Sequence, residues 1–191
     1  MKSEYLIKLS GICGIMLPIV TITGLLLALP RAPWFSWTEN AISDLGRPEF
    51  GLSFFNYMLI LVGILLLAFS FGLIYSLKGT RVGPTVFALS SIYFIGVGLF
   101  PLPNPNHVDI SGLFFIAFPL GFFLLGLKMY KKRSRFIKNM GISALIIAVI
   151  GGISPIFLLF YEGIAIPEMI ILFPGFFWCM IYGLHLATQE K

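Results

Sequence analysis

The chain has 191 residues, 58% hydrophobic and only 11% charged. With a mean hydropathy of +0.97, it is too apolar for a soluble domain, in which about half the residues are apolar and about a quarter charged. The net charge of +5 does not point to nucleic acid, because the basic residues fall in gaps between apolar runs and read as membrane topology signals. Cys13 and Cys179 each lie inside an apolar run, which excludes a disulfide framework and reads as small apolar filling.

Six uncharged runs, 9–29, 51–77, 82–100, 110–127, 139–161 and 169–189, follow in order. Each approaches or exceeds the 17–25 residues, roughly, that a helix needs to cross a bilayer. Lipid cannot satisfy free backbone groups, so helices are the spanning form these runs allow. The expected fold is an all-α membrane protein, a six-transmembrane-helix bundle forming one domain over 1–191, with helices near 5–29, 52–77, 82–100, 109–130, 137–161 and 167–188. The first run is too long for a signal peptide, and no small-x-small cleavage pattern follows it, so it is read as a retained helix.

Lys2 and Lys8 precede helix 1, Lys78 and Arg81 separate helices 2 and 3, and Lys128, Lys131, Lys132, Arg133, Arg135 and Lys138 surround the fourth connection; Lys191 ends the chain. Eleven of thirteen basic residues therefore share one side, leaving Arg31 and Arg47 on the other. This predicts a multi-pass protein of the cell membrane with both termini cytoplasmic. Glu39, Asp44, Glu49, Asp109, Glu162 and Glu168 fall on the opposite, outer side, together with His107.

The first outer loop, "WFSWTENAISDLGRPEFG", carries more polar equipment than a plain connector needs. Pro33 suits a first helical position. Trp34, Trp37, Ala41 and Leu45 follow at spacings of three and four, and Gly46 is a natural stop. The pattern predicts a short interfacial helix over 34–46, its tryptophans at headgroup depth. Read plainly it is an anchor with a solvated acidic face; read as a site, it turns Asn40, Ser43 and Asp44 over the bundle. In the third connection, "FPLPNPNHVDISG", three prolines hold an extended path that delivers His107 and Asp109 to the start of helix 4. Asn106 or Asp109 would cap that helix. The fifth, "YEGIAIPEMI", opens helix 6 with Pro167 and places Glu168 in its first turn, where the helix dipole favours a carboxylate.

Pro18, Pro119, Pro155 and Pro174 fall from mid-membrane toward the outer side. Kinks there would open a cavity toward that face. Interior glycines suit close helix contact, and Asn56 and the serines of helices 2, 3 and 5 are candidate interhelical hydrogen-bonders. "FPLGFF" and "FPGFF" look alike but are too short to establish a repeat. No Walker loop, GxGxxG, HExxH, CxxC or GxSxG is present.

"ENAISDLGRPEFGLSFFN" before a long apolar run, and "GVGLFPLPNPNHVDISGLFF" later, resemble the domain-of-unknown-function 998 family of prokaryotic integral membrane proteins. "GIAIPEMI" is similar to that family's Gly-x-Pro-Glu-Arg segment, with Met169 where arginine is usual. The residues matching these motifs are Asn40, Ser43, Asp44, Gly46, His107 and Glu168. More distantly, "ISDLG" and the later histidine are similar to the FRAG/DRAM/Sfk group, which includes a factor for remodelling the lipid of GPI anchors. The first resemblance implies a fold and no assigned activity.

The expected function is binding of a lipid or small amphiphile in an outward-facing polar pocket, with Glu39, Asn40, Ser43, Asp109 and Trp37 as ligand contacts. The alternative is a membrane-embedded hydrolase or transferase acting on lipid, with Asp44, His107 and Glu168 catalytic: His107 as general base, Asp44 or Glu168 orienting it, and Ser43 as a nucleophile. Asp44, His107, Asp109 and Glu168 also make up an oxygen-rich divalent-cation set with one imidazole; no other cofactor is indicated. The expected partners are membrane lipids. A transporter of soluble substrates is disfavoured, because the helix interiors carry no charge.

Overall fold

The computed structural model describes residues 2–77, 79 and 81–188. Lys78 and Lys191, counted above as charge markers, lie outside the described residues. Six helices are long and apolar enough to cross a membrane: α1 Lys2–Ala28, α2 Phe54–Ser76, α3 Val82–Leu99, α4 Asn106–Met129, α5 Arg135–Ile153 and α6 Ala165–Thr188. No strand occurs among the described residues. The protein is an integral membrane protein of the all-α class.

The helices form a closed ring in chain order, each packing on its sequence neighbours, with α6 returning to α1. Lipid is as apolar as leucine, so packing rather than water exclusion holds such helices together. The centre is therefore filled by rings. Phe87, Phe118 and Phe122 pack with centroids 5.0–5.1 Å apart, Phe94 meets Phe114 at 4.6 Å, and Phe122 meets Trp178 at 5.3 Å. Each such pair contributes about 0.5–1.5 kcal/mol beyond its buried area. The two similar Phe-Pro motifs meet here: Phe118 of α4 lies 6.0 Å from Phe176 of α6. Where α1 crosses α6, Gly11 and Gly183 face one another, and a Cβ on either would stand 2.5–2.6 Å from the other's carbonyl oxygen. Leu26, Tyr57 and Ile116 point outward, each about two-thirds exposed or more, as a lipid-facing surface requires.

Most helix hydroxyls serve their own helix. Thr21, Ser70, Ser90 and Ser91 donate to carbonyls three or four residues back. The expected interhelical bonding is limited among them to Ser70 and Ser91, 3.5 Å apart. Helix α5 ends earlier than the apolar run suggests, continuing as a 3-10 segment, Ser154–Leu159. Pro155 has no N–H for the Gly151 carbonyl. Ser154 Oγ donates to that oxygen instead, at 2.9 Å.

The connections after α1, α3 and α5 gather at one end of the ring. In the first, the expected helix over 34–46 reduces to a five-residue 3-10 turn, Ile42–Gly46, all of it buried. Residues 34–41 are turns and irregular backbone. The segment does not lie flat on the interface; it plugs the end of the bundle. Trp34 stacks on Phe50 at 3.8 Å rather than pointing outward, while Trp37 stays exposed.

Candidate functional site at the loop end

Three connections are tied into one unit through the buried turn. Asp44 stands three residues after Ala41, and its Oδ2 accepts the Ala41 N–H at 2.7 Å. Its Oδ1 accepts from Arg47 Nε at 2.7 Å. That bond, more than the longer contact with Glu49, holds the proton on the guanidinium and raises its pKa further. At the turn's other end Asn56 Nδ2 donates to the Gly46 carbonyl at 2.7 Å. Asp44 thus shapes the turn and pairs with Arg47.

The fifth connection docks by its backbone. Gly163 N–H donates to the Thr38 carbonyl at 2.8 Å, and Ala165 N–H to the Asn40 carbonyl at 2.9 Å. Asn40 Oδ1 accepts from Ser36 N–H at 2.8 Å, so Asn40 braces the loop from both its side chain and its backbone. One turn into α6, Glu168 is buried, and its Oε2 accepts the Ile42 N–H at 2.6 Å. It satisfies the donor that opens the Ile42–Gly46 turn.

The third connection supplies His107. Neither Asn106 nor Asp109 caps α4: the N-cap position is Pro105, without a side-chain cap, and one residue earlier Asn104 Oδ1 accepts from Asn106 N–H at 3.0 Å and its carbonyl from His107 N–H at 3.1 Å. His107 is 3% exposed. Its Nδ1 lies 2.7 Å from the Phe100 carbonyl and its Nε2 3.0 Å from Ser43 Oγ. A carbonyl can only accept, so Nδ1 carries the proton, and in the neutral ring Nε2 accepts from the Ser43 hydroxyl. In place of Asp44 or Glu168, expected to orient His107, the ring's hydrogen-bond partners are the Phe100 carbonyl and Ser43. Successive residues of a tight turn point in different directions, so Ser43 faces His107 while Asp44 faces Arg47.

Two cavities adjoin the group. One, of about 30 Å³, is lined by Ile42, Ser43, Phe94, Ser111, Phe114 and Glu168, among others. The other, of about 160 Å³, lies between α4, α5 and α6 and is lined by Phe115, Gly151, Ser154, Leu158, Pro167 and Glu168 among others. Phe115 and Glu168 border both, forming the partition between them. Glu168 Oε1 makes no hydrogen bond among the described residues and is not sealed inside protein. Of the four mid-membrane prolines, Pro155 lines the larger cavity.

The expected residues therefore divide. Ser43, His107 and Glu168 converge on the Ile42–Gly46 turn, with Asn40 and Asp44 as its braces. Glu39, Trp37 and Asp109 are exposed and join none of these contacts. No group of three or more His, Cys, Asp or Glu among the described residues is placed to hold a metal ion. Sequence reasoning missed the Phe100 carbonyl, which carries no side-chain signal, and Phe115, which reads as ordinary apolar filling. Asn56 was visible as a polar residue in an apolar run, but not its partner in the loop.

The fold and site define a six-helix membrane protein whose end is closed by three interlocked connections around a buried serine, histidine and glutamate. The chain belongs to the family described as protein of unknown function (DUF998), whose model matches residues 12–185. No curated protein and no solved structure matches it.

Proposed function

We propose that this protein binds the acyl portion of a membrane lipid or a similar amphiphile in the cavity between α4, α5 and α6, at the outer leaflet of the cell membrane. The observation that carries the reading is that cavity: about 160 Å³, apolar on most walls, with a carboxylate at one side. A dry cavity of roughly 150 Å³ accommodates a molecule of benzene's size. The site therefore suits a segment of chain, with the remainder lying in the bilayer. Pro155 and Leu158 are exposed and form its rim, so a chain enters sideways from lipid. Glu168 and the loop end would meet a polar headgroup. The acids at that end and the basic cluster 128–138 at the other support an outward-facing loop end.

A phospholipid with a photoreactive group on its acyl chain tests the reading. Irradiated with protein in mild detergent, it should cross-link to Phe115, Leu158 or Ile164. Leu158→Trp should lower the yield at least fivefold without lowering the melting temperature. Cross-links scattered over the outer surface, with none at these three residues, would overturn the proposal.

A further inference from the structure

We propose that Ser43 is a nucleophile activated by His107, and that the protein transfers or hydrolyses an ester-linked acyl group of a lipid. The inference rests on the acyl-chain reading of the larger cavity and adds chemistry to it. Its basis is the relay of hydrogen bonds from Ser43 Oγ to His107 Nε2 at 3.0 Å, and from His107 Nδ1 to the Phe100 carbonyl at 2.7 Å. A nucleophilic hydroxyl needs a base within about 2.6–3.2 Å, and the base in turn needs a third group to fix its tautomer. Here that third group is a backbone carbonyl. Ser43 comes from the first connection and both His107 and Phe100 from the third, and serine and histidine are both buried.

A structural staple would place the hydroxyl against packed protein. Instead Ser43 borders a cavity, and that cavity shares Phe115 and Glu168 with the larger one. A chain held in the larger cavity has its ester carbonyl carried toward Ser43 past this partition. Ser43 Oγ attacks the carbonyl carbon, forming a new C–O bond, while its proton passes to His107 Nε2. The tetrahedral intermediate collapses, the ester C–O bond breaks, and the departing alcohol takes the proton from His107 Nε2. Water, or the hydroxyl of a second lipid, then attacks acyl-Ser43 by the same proton circuit and releases the acyl group as acid or new ester. No oxidant, reductant or metal enters the balance. Glu168, which bonds the Ile42 N–H beside Ser43, is a positioning residue.

An alkyl fluorophosphonate is the probe: Ser43 Oγ would form the O–P bond as fluoride leaves. Full-length protein in mild detergent should gain one adduct by intact mass, and peptide mapping should place it on Ser43. His107→Asn should slow the reaction by about 100-fold or more, the range expected for removing a general base, and Phe115→Ala should speed it by opening the partition. Thr188→Ala, at the far end of α6 and bonded only to the Leu184 carbonyl of its own helix, should leave the rate unchanged. Melting curves identify variants that fail to fold; the wild-type adduct map decides the matter without them. Wild-type protein that cross-links the lipid photoprobe but takes no adduct on Ser43 overturns this inference and leaves the binding proposal standing. An adduct on Ser43 without cross-linking at the cavity keeps Ser43 as the nucleophile but overturns the acyl-chain reading, and with it the lipid ester as substrate.

Discussion

Ser43 and His107 are each the other's buried partner, and this makes their substitution costs interdependent. Ser43→Ala leaves the His107 ring nitrogen without a donor, and a buried polar group left unpaired costs about 1–3 kcal/mol. His107→Ala frees both the Ser43 hydroxyl and the Phe100 carbonyl and leaves a hole, so it should cost more than Ser43→Ala. The double variant should lose less than the sum of the two, because residues in contact couple by about 0.5–3 kcal/mol. Thermal melts of the four proteins in one detergent measure this directly. Additive losses would mean that the 3.0 Å contact contributes nothing to stability. Asp44 belongs to a separate calculation. Its carboxylate caps Ala41 N–H and pairs with Arg47, so Asp44→Ala should cost about 0.5–2 kcal/mol, as for loss of a cap. Asp44→Asn should recover part of that, since an amide oxygen can still accept the Ala41 proton.

Among the elements, the clasp between the first and fifth connections decides the shape of the loop end. In a continuous helix the Thr38 and Asn40 carbonyls would accept from Ile42 and Asp44. Here they accept from Gly163 and Ala165, Ile42 N–H goes to Glu168, and Asp44 N–H goes to the Ala41 carbonyl. The helical spacing of Trp34, Trp37, Ala41 and Leu45 was real in the sequence, but partners more than 120 residues away claimed the backbone. Local pattern carries no record of such partners, so the spacing over 34–46 predicts a helix where only the Ile42–Gly46 turn forms. The membrane helices were legible because length and hydrophobicity decide them without reference to tertiary contacts. Likewise, "SD" and "NH" at one membrane end marked Ser43, Asp44 and His107 for attention, while the pairing of serine rather than aspartate with histidine depended on turn geometry. The clasp yields its own prediction. A Cβ at Gly163 would stand 2.5–2.6 Å from the Glu39 carbonyl carbon and the Asn40 oxygen, and closer still to Asn40 N. These are backbone atoms and cannot rotate away. Gly163→Ala should therefore destabilise by about 1–3 kcal/mol, the usual cost of overpacking, and speed proteolysis within 34–50. Gly152, whose Cβ would meet nothing within 4 Å, is the control: Gly152→Ala should be neutral or slightly stabilising.

For the whole molecule the governing asymmetry is charge. The connection from α4 to α5 and its flanks place Lys128, Lys131, Lys132, Arg133, Arg135 and Lys138 at the end of the ring opposite the loop clasp. Near an anionic leaflet, each such residue contributes about 1 kcal/mol of attraction. The clasped end has Arg31 and Arg47, and Arg47 is already paired with Asp44. Inverting the protein would thus give up several favourable contacts while gaining few, which supports the proposed orientation with the loop end outside. Single cysteines read this orientation, provided they disturb nothing. Gly163 is unsuitable because any side chain there strikes the clasp. Glu162 beside it is exposed, as is Ser134 at the basic end. Cys179 is buried and half-buried Cys13 can be replaced by alanine, leaving the introduced thiol as the reporter. Glu162→Cys should react with a membrane-impermeant maleimide in intact cells. Ser134→Cys should react only after permeabilisation. Labelling in the opposite order would invert the protein in the membrane, placing the Ser43–His107 pair and the cavity between α4, α5 and α6 against the inner leaflet.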